Sequence, residues 1–302
     1  MTQHILLATD LSANAAFAAR WAKHYADAVG AKVILAHIIE INVPNWVRDA
    51  YNVLEEEDKR VKLEERITEW YRTHAKGEHD GILIEAGNID QQLGEFAEQI
   101  DASMIVIAKS GKSALTRFLA GSTAQMLAAN PPRPVVIVHP DHTKLDSTTK
   151  IAVATDLTET AEKAIATAAR LSGALGSHLD IVHASAIGGS SVDISELPEE
   201  LSPENLEKKT KEQLDSVISK HSHELEEIDS SAHIINAAPV EAISQFAQDN
   251  HTDIVFVGNA SHYNVITNVF GRVSVKLMQT LDCTFIVVPP HSALDEDSSE
   301  EE

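Results

Sequence analysis

The stretch 108–123, Ala-Lys-Ser-Gly-Lys-Ser-Ala-Leu-Thr-Arg-Phe-Leu-Ala-Gly-Ser-Thr, has the residue types and spacing to hold an anion. Gly111 and Gly121 let the backbone approach a ligand with no Cβ in the way. Gly121-Ser122-Thr123 reads as a helix start, where free N–H groups, the helix dipole and the Ser122 hydroxyl favour negative charge. Lys109, Lys112 and Arg117 add positive charge nearby. A phosphate loop is one reading; a solvated loop ahead of an ordinary helix cap is the other. Ser110-Gly111-Lys112-Ser113 looks like the end of a GxxxxGK(S/T) P-loop, but the first glycine would fall on Val106, inside a strand-like run, so that motif fails. A dinucleotide fingerprint fails as well, because Asp10-Leu11-Ser12-Ala13-Asn14 contains no glycine.

The chain repeats itself around this stretch. Ala8-Thr9-Asp10-Leu11 returns as Ala154-Thr155-Asp156-Leu157, and His37 returns as His183 at the same offset. Further along, Phe96 pairs with Phe246, Gly121 with Gly271, and 135–138 with 285–288. A period this long means two duplicated domains, since each copy can bury its own core. In copy one, strand-like runs at 5–8, 32–37, 82–85, 103–107 and 134–138 alternate with helical patterns near 13–29, 53–75, 89–100 and 121–129. In copy two the runs lie near 150–154, 178–183, 232–236, 253–257 and 284–288. This alternation predicts an α/β fold with five parallel strands per copy and helices on both faces, binding ligands beyond the carboxyl ends of the strands. Ser12 and Thr158 are suited to cap the first helix of each copy, and Gly30 and Gly176 to end it. The domains are expected at 1–142 and 143–290, with 291–302 an acidic, disordered tail. The polar segment 188–203 reads as a surface loop or a partial lid.

Composition narrows the partners. Of the net charge of −22, residues 1–142 carry −5 and the remainder −17. That balance argues against nucleic-acid binding and makes the first copy the easier one for a polyanion to approach. The single cysteine, Cys283, excludes an internal disulfide framework. No apolar run is long enough to span a bilayer, and a strand begins too soon for a signal peptide, so a soluble, cytoplasmic protein is expected. The histidine pairs 221/223, 74/79 and 139/142 lack the clustering of a zinc site and read as solvated surface residues.

Each copy resembles a universal stress protein domain, and the whole chain resembles the tandem members of that family. The nucleotide-binding branch carries G-x2-G-x9-G-(S/T) after its fourth strand; copy one has Ala108, Gly111, Gly121 and Ser122 at every one of those spacings. The Ala-Thr-Asp opening and the strand ending in His37 match too. The resemblance implies two Rossmann-like, adenine nucleotide alpha hydrolase-like domains and ATP or a related adenine nucleotide as ligand. Ala8, Thr9 and Asp10 would face adenine and ribose, with Ile38 contacting adenine through its backbone. Gly111, Lys112, Gly121, Ser122 and Thr123 would hold the phosphates, with magnesium bridging them. Ala108, which stands in the place of the first glycine, brings a methyl toward the ribose.

Copy two reads Gly258-x2-Ser261-x9-Gly271-Arg272, with a serine for the second glycine and an arginine for the hydroxyl residue. It is expected to be a degenerate site. Family resemblance also implies an internal pseudo-dimer through the fifth strands, and a possible further pairing of two chains. No second carboxylate, arginine finger or evident base can be tied to the phosphate loop, so the expected role is stress sensing or regulation, with at most slow hydrolysis or autophosphorylation. The rival reading is a nucleotide-free interaction or carrier module, with copy two holding an apolar ligand.

Overall fold

The computed structural model describes residues 3–40, 57–109, 122–185, 202–259 and 272–290. These fall in two units, the first ending at Leu145 and the second running Asp146–Pro290. In the first unit the order is β1 (His4–Ala8), α1 (Ala15–Val29), β2 (Lys32–Glu40), α2 (Glu57–Ala75), β3 (Gly81–Gly87), α3 (Ile89–Gln99), β4 (Ala102–Ala108), α4 (Ser122–Ala129) and β5 (Val135–Val138). The second unit continues with β6 (Ile151–Thr155), α5 (Glu159–Leu175), β7 (Leu179–Ala184), α6 (Pro203–Lys220), α7 (Ser222–Leu225), β8 (Ser230–Ile235), α8 (Pro239–Asp249), β9 (Ile254–Gly258), α9 (Arg272–Thr280) and β10 (Thr284–Val288).

Every strand pairs in parallel, in the order β3-β2-β1-β4-β5 in the first unit and β8-β7-β6-β9-β10 in the second. Helices cover both faces. Strands buried on both faces need side chains that are apolar throughout, and the central strands comply: Ile5, Leu6 and Leu7 in β1, like Ile151 and Val153 in β6, are inaccessible to solvent. In each unit the chain leaves the first strand to one side and returns on the other. The order therefore reverses between β1 and β4, and between β6 and β9, where a crevice opens at the strands' carboxyl ends.

The duplication extends to backbone detail. β1 meets β2 with Ala8 opposite Ala36, and β6 meets β7 with Ala154 opposite Val182, the same register. α1 and α5 both end on a left-handed glycine, Gly30 (φ 71°) and Gly176 (φ 64°), as expected of a residue free of the Cβ penalty.

Some boundaries differ from expectation. β2 runs on to Glu40 because Ile38, Ile39 and Glu40 keep pairing with Glu85, Ala86 and Gly87 of β3, a long-range partner that local pattern does not reveal. α1 begins at Ala15 rather than 13, since 11–14 form a turn. Thr158 occupies the N-cap position of α5 but makes no side-chain cap bond; its hydroxyl donates to Asp156 Oδ1 instead. Ser202 and Pro203 belong to the start of α6, where Ser202 Oγ accepts the Asn205 N–H (3.3 Å). The rest of 188–203, residues 53–56 and the tail 291–302 lie outside the described residues. His221 is not a solvated histidine: its side chain is 13% exposed and neither ring nitrogen has a hydrogen-bond partner. Among the described residues no group of three or more His, Cys, Asp or Glu could hold a metal ion, and no helix is long and apolar enough to cross a membrane.

Candidate functional site

Where β1 ends, the chain makes a tight turn held by its own side chains. Thr9 N–H donates to Ala36 O (2.9 Å), carrying the β1–β2 pairing one residue past the strand. Thr9 Oγ1 accepts the Leu11 N–H (3.0 Å), and Asp10 Oδ1 accepts the Ser12 N–H (2.9 Å). Ser12 Oγ then accepts the Ala15 N–H (3.1 Å), so the serine caps α1 from within the turn. The price of this tightness is a leucine in left-handed backbone, Leu11 at φ 62°.

His37 braces the turn from β2. Its Nδ1 lies 2.8 Å from Thr9 O. A carbonyl oxygen can only accept, so Nδ1 carries the proton and donates. The second unit repeats the brace and the turn but not the serine cap: His183 Nδ1 to Thr155 O (2.8 Å), Leu157 N–H to Thr155 Oγ1 (3.0 Å), Thr158 N–H to Asp156 Oδ1 (3.1 Å), and Leu157 at φ 64°. Asp10 and Asp156 are thus turn residues in both copies, whatever else they do.

The backbone of Ile38 follows from strand geometry. Along a strand, alternate residues point their N–H and C=O to the same side. Ala36 points toward β1, because its oxygen takes the Thr9 N–H. Ile38, two residues on, points the same way, but β1 has already turned off. Its N–H and C=O therefore face the crevice.

These residues meet in one cleft of about 250 Å³. Ala8, Thr9 and Asp10 line it from the end of β1, Ile38 from β2, Ala108 from β4 and Thr123 from α4. Ser122 opens α4, while Gly111, Lys112 and Gly121 lie outside the described residues. The sequence reading missed Asn14 and Ala15, which enter from the start of α1, and Ile89 and Leu93 from α3. The i, i+4 spacing of Ile89 and Leu93 is a signal, but an ordinary core-facing stripe gives the same one. Among the described residues the lining is largely apolar, with Thr9, Asp10, Ser12, Asn14 and Thr123 supplying the polar groups, and Asp10 is the one ionisable side chain. Such a space fits a flat apolar ring with a polar end.

The second unit's counterpart is built differently. Gly258 stands at the position of Ala108, and Val273, 42% exposed, at that of Thr123. Asn259 takes the place of Lys109; the two N–H groups make equivalent bonds, to Val288 O (2.8 Å) and Val138 O (2.9 Å), so the backbone is kept and the charge is lost. Ser261 and Gly271 lie outside the described residues.

Comparison with known proteins accords with this architecture. The universal stress protein family profile matches residues 1–139 and again 147–289. A universal stress protein of Mycolicibacterium smegmatis is 33% identical over 145 residues, 45% of this chain; the chain spans about half (48%) of that relative's length. A universal stress protein from Archaeoglobus fulgidus shares the fold at a TM-score of 0.68 and 20% identity, over 95% of this chain and 98% of that one. A universal stress protein from Pseudomonas aeruginosa does so at 0.60 and 15%, over 95% and 93%. With two successive matches covering nearly all of a chain whose halves share strand order, register and turn chemistry, the protein belongs to the universal stress protein family, with one family domain in each half.

Proposed function

We propose that the first unit binds ATP or a related adenine nucleotide and that the protein acts as a stress-response sensor or regulator rather than as a catalyst. The observation that carries this reading is the convergence of Ala8, Thr9, Asp10, Ile38, Ala108 and Thr123 on one cleft at the point where strand order reverses. An adenine ring matches the apolar lining, and its N1 and N6 edge matches a backbone N–H and C=O such as those of Ile38. Thr9 and Asp10 stand at the ribose end. Gly111, Lys112, Gly121, Ser122 and Thr123 would hold the phosphates, and magnesium arriving with the nucleotide would offset their charge; the described residues by themselves form no metal site. Asp10 already uses one carboxylate oxygen in its turn, and among the described residues of the cleft lining no general base stands beside it. That supports binding over turnover, with at most slow hydrolysis or autophosphorylation.

By the same resemblance two chains pair in the cytoplasm, and nucleotide biases the assembly. The test is to denature freshly purified protein, identify released small molecules by mass spectrometry, and titrate the stripped protein with ATP and magnesium by calorimetry. A released adenine nucleotide that rebinds, and fails to rebind to the Gly121→Ala/Ser122→Ala variant, is the expected result. Absence of both release and heat would refute the reading in favour of a nucleotide-free interaction or carrier module. Light scattering with and without nucleotide tests the assembly.

A further inference from the structure

Most polar side chains lining the first unit's cleft already serve the turn. Thr9 Oγ1 accepts the Leu11 N–H, Asp10 Oδ1 the Ser12 N–H, and Ser12 Oγ the Ala15 N–H. Asn14 lines the same cleft, and its carboxamide makes no hydrogen bond among the described residues. An asparagine at a helix start ordinarily sits in extended backbone, and its side-chain oxygen accepts an N–H of the first turn. Asn14 sits instead in helical backbone (φ −73°, ψ −42°) and makes no such bond. Ser12 has taken that role two residues earlier. The helix is capped without Asn14, so its amide keeps two donors and an acceptor for whatever enters the cleft.

The charge at this place is one-sided. The first N–H groups of a helix have no acceptor within it, and the helix dipole adds partial positive charge there. α1 has no acidic residue in its first turn to answer that charge, whereas α5 has Glu159 and Glu162. Asn14 is itself uncharged, so it brings donors without setting a second carboxylate in the lining that holds Asp10. An amide donor at the positive end of a helix suits an anionic oxygen better than a ring edge or a sugar hydroxyl.

We propose that the Asn14 carboxamide donates to the phosphate nearest the ribose, and so makes the cleft select a nucleotide over a nucleoside. The ribose end is assigned to Thr9 and Asp10, and Asn14 enters from the same turn and helix start, across the cleft from Thr123 on α4. This inference rests on the nucleotide reading of the first unit.

The experiment uses the full chain and calorimetry with adenosine and with AMP; the readout is the ratio of the two affinities. The unaltered protein should bind AMP more tightly than adenosine. Asn14→Asp sets a carboxylate where the amide donor was and should lower that ratio about tenfold or more, through AMP alone. Asn14→Ala should lower it in the same direction. Thermal unfolding of the free variants separates this from a structural role. Asn14→Asp adds an acid to the start of α1, so Tm should hold or rise while AMP affinity falls. Equal losses for adenosine and AMP, an unchanged ratio, a Tm that falls together with affinity, or AMP binding no tighter than adenosine in the unaltered protein would overturn the inference and leave the nucleotide reading in place. An unaltered protein that binds neither of these nor ATP with magnesium would refute both.

Discussion

His37 and His183 make one hydrogen bond in two places, which allows a controlled experiment. Replacing His37 by Leu keeps approximate bulk but removes the Nδ1–H that Thr9 O accepts at 2.8 Å. The bond is part-buried, so the carbonyl loses a partner that water replaces only in part, at a cost of about 1–2 kcal/mol. For a domain of this size that is a fall in Tm of roughly 3–6 °C. His183→Leu removes the matching bond to Thr155 O, also at 2.8 Å, and should cost the same. Binding should separate the two variants. His37 holds the turn that presents Thr9 and Asp10 to the cleft; if about 1 kcal/mol of its bracing is felt by the ligand, nucleotide affinity falls roughly fivefold. His183→Leu should leave affinity unchanged. The asparagine amide nitrogen is attached at Cγ, as Nδ1 is, so His37→Asn should recover part of both losses. Calorimetric unfolding and nucleotide titration of the three variants decide the matter. If neither leucine variant shifts Tm by more than about 1 °C, the bond does not carry the weight assigned to it. If His183→Leu weakens binding as much as His37→Leu, the link from brace to local cleft is wrong.

Asp10→Asn keeps an acceptor for the Ser12 N–H, so stability should hold, while the lost charge should alter the magnesium dependence of nucleotide binding; an unchanged magnesium titration would confine Asp10 to its turn. Thr123→Val copies the second unit's Val273 and should weaken binding about tenfold or more if the hydroxyl meets a phosphate, as read by calorimetry. The pKa of His178 is raised on balance: burial lowers it, but the hydrogen bond to Asp229 and the charges of Asp180 and Asp229 outweigh burial. Its folded-state pKa exceeds the unfolded value of 6.5, so the stability it gives is complete below that pH and is lost as pH rises through the folded pKa. After correction for intrinsic exchange, amides of β8 should be better protected at low pH, and Asp229→Asn should flatten that dependence. His79 is the opposite case, since burial lowers its pKa despite the neighbouring Glu78. The first unit should lose stability as pH falls below about 6.5, followed by the imidazole resonance in NMR together with the unfolding free energy.

What could be read from the sequence follows from where information is local. Doubly buried parallel strands must be apolar throughout, so β1 and β4 stand out, and duplication shows them a second time as β6 and β9. Strand ends are set by partners: nothing local in Ile38-Ile39-Glu40 says that β3 will hold them in line, yet that continuation is what leaves the Ile38 backbone facing the crevice. The turn after β1 was visible as a repeat but not as a geometry, because a leucine gives no sign of left-handed backbone. His221 reads as a surface residue in the sequence because its burial at the α6–α7 junction, beside Glu162 and Glu224, has no signature in spacing.

The most instructive case is position 108 and its partner 258. Motif spacing makes Gly258 the residue that conforms and Ala108 the one that departs, which would favour the second copy at that position. Packing gives the two positions different neighbours. A glycine near a ligand site is permissive in two directions, since the space that a missing Cβ leaves can be taken by a ligand or by the protein's own backbone. At Gly258 it is taken by Thr160 and Ala161. In the first unit Ala108, Asn14 and Ala15 line the cleft together. A motif match counts residues along the chain, whereas the space around each position depends on which backbone arrives there, and α1 and α5 begin at different points of the repeat.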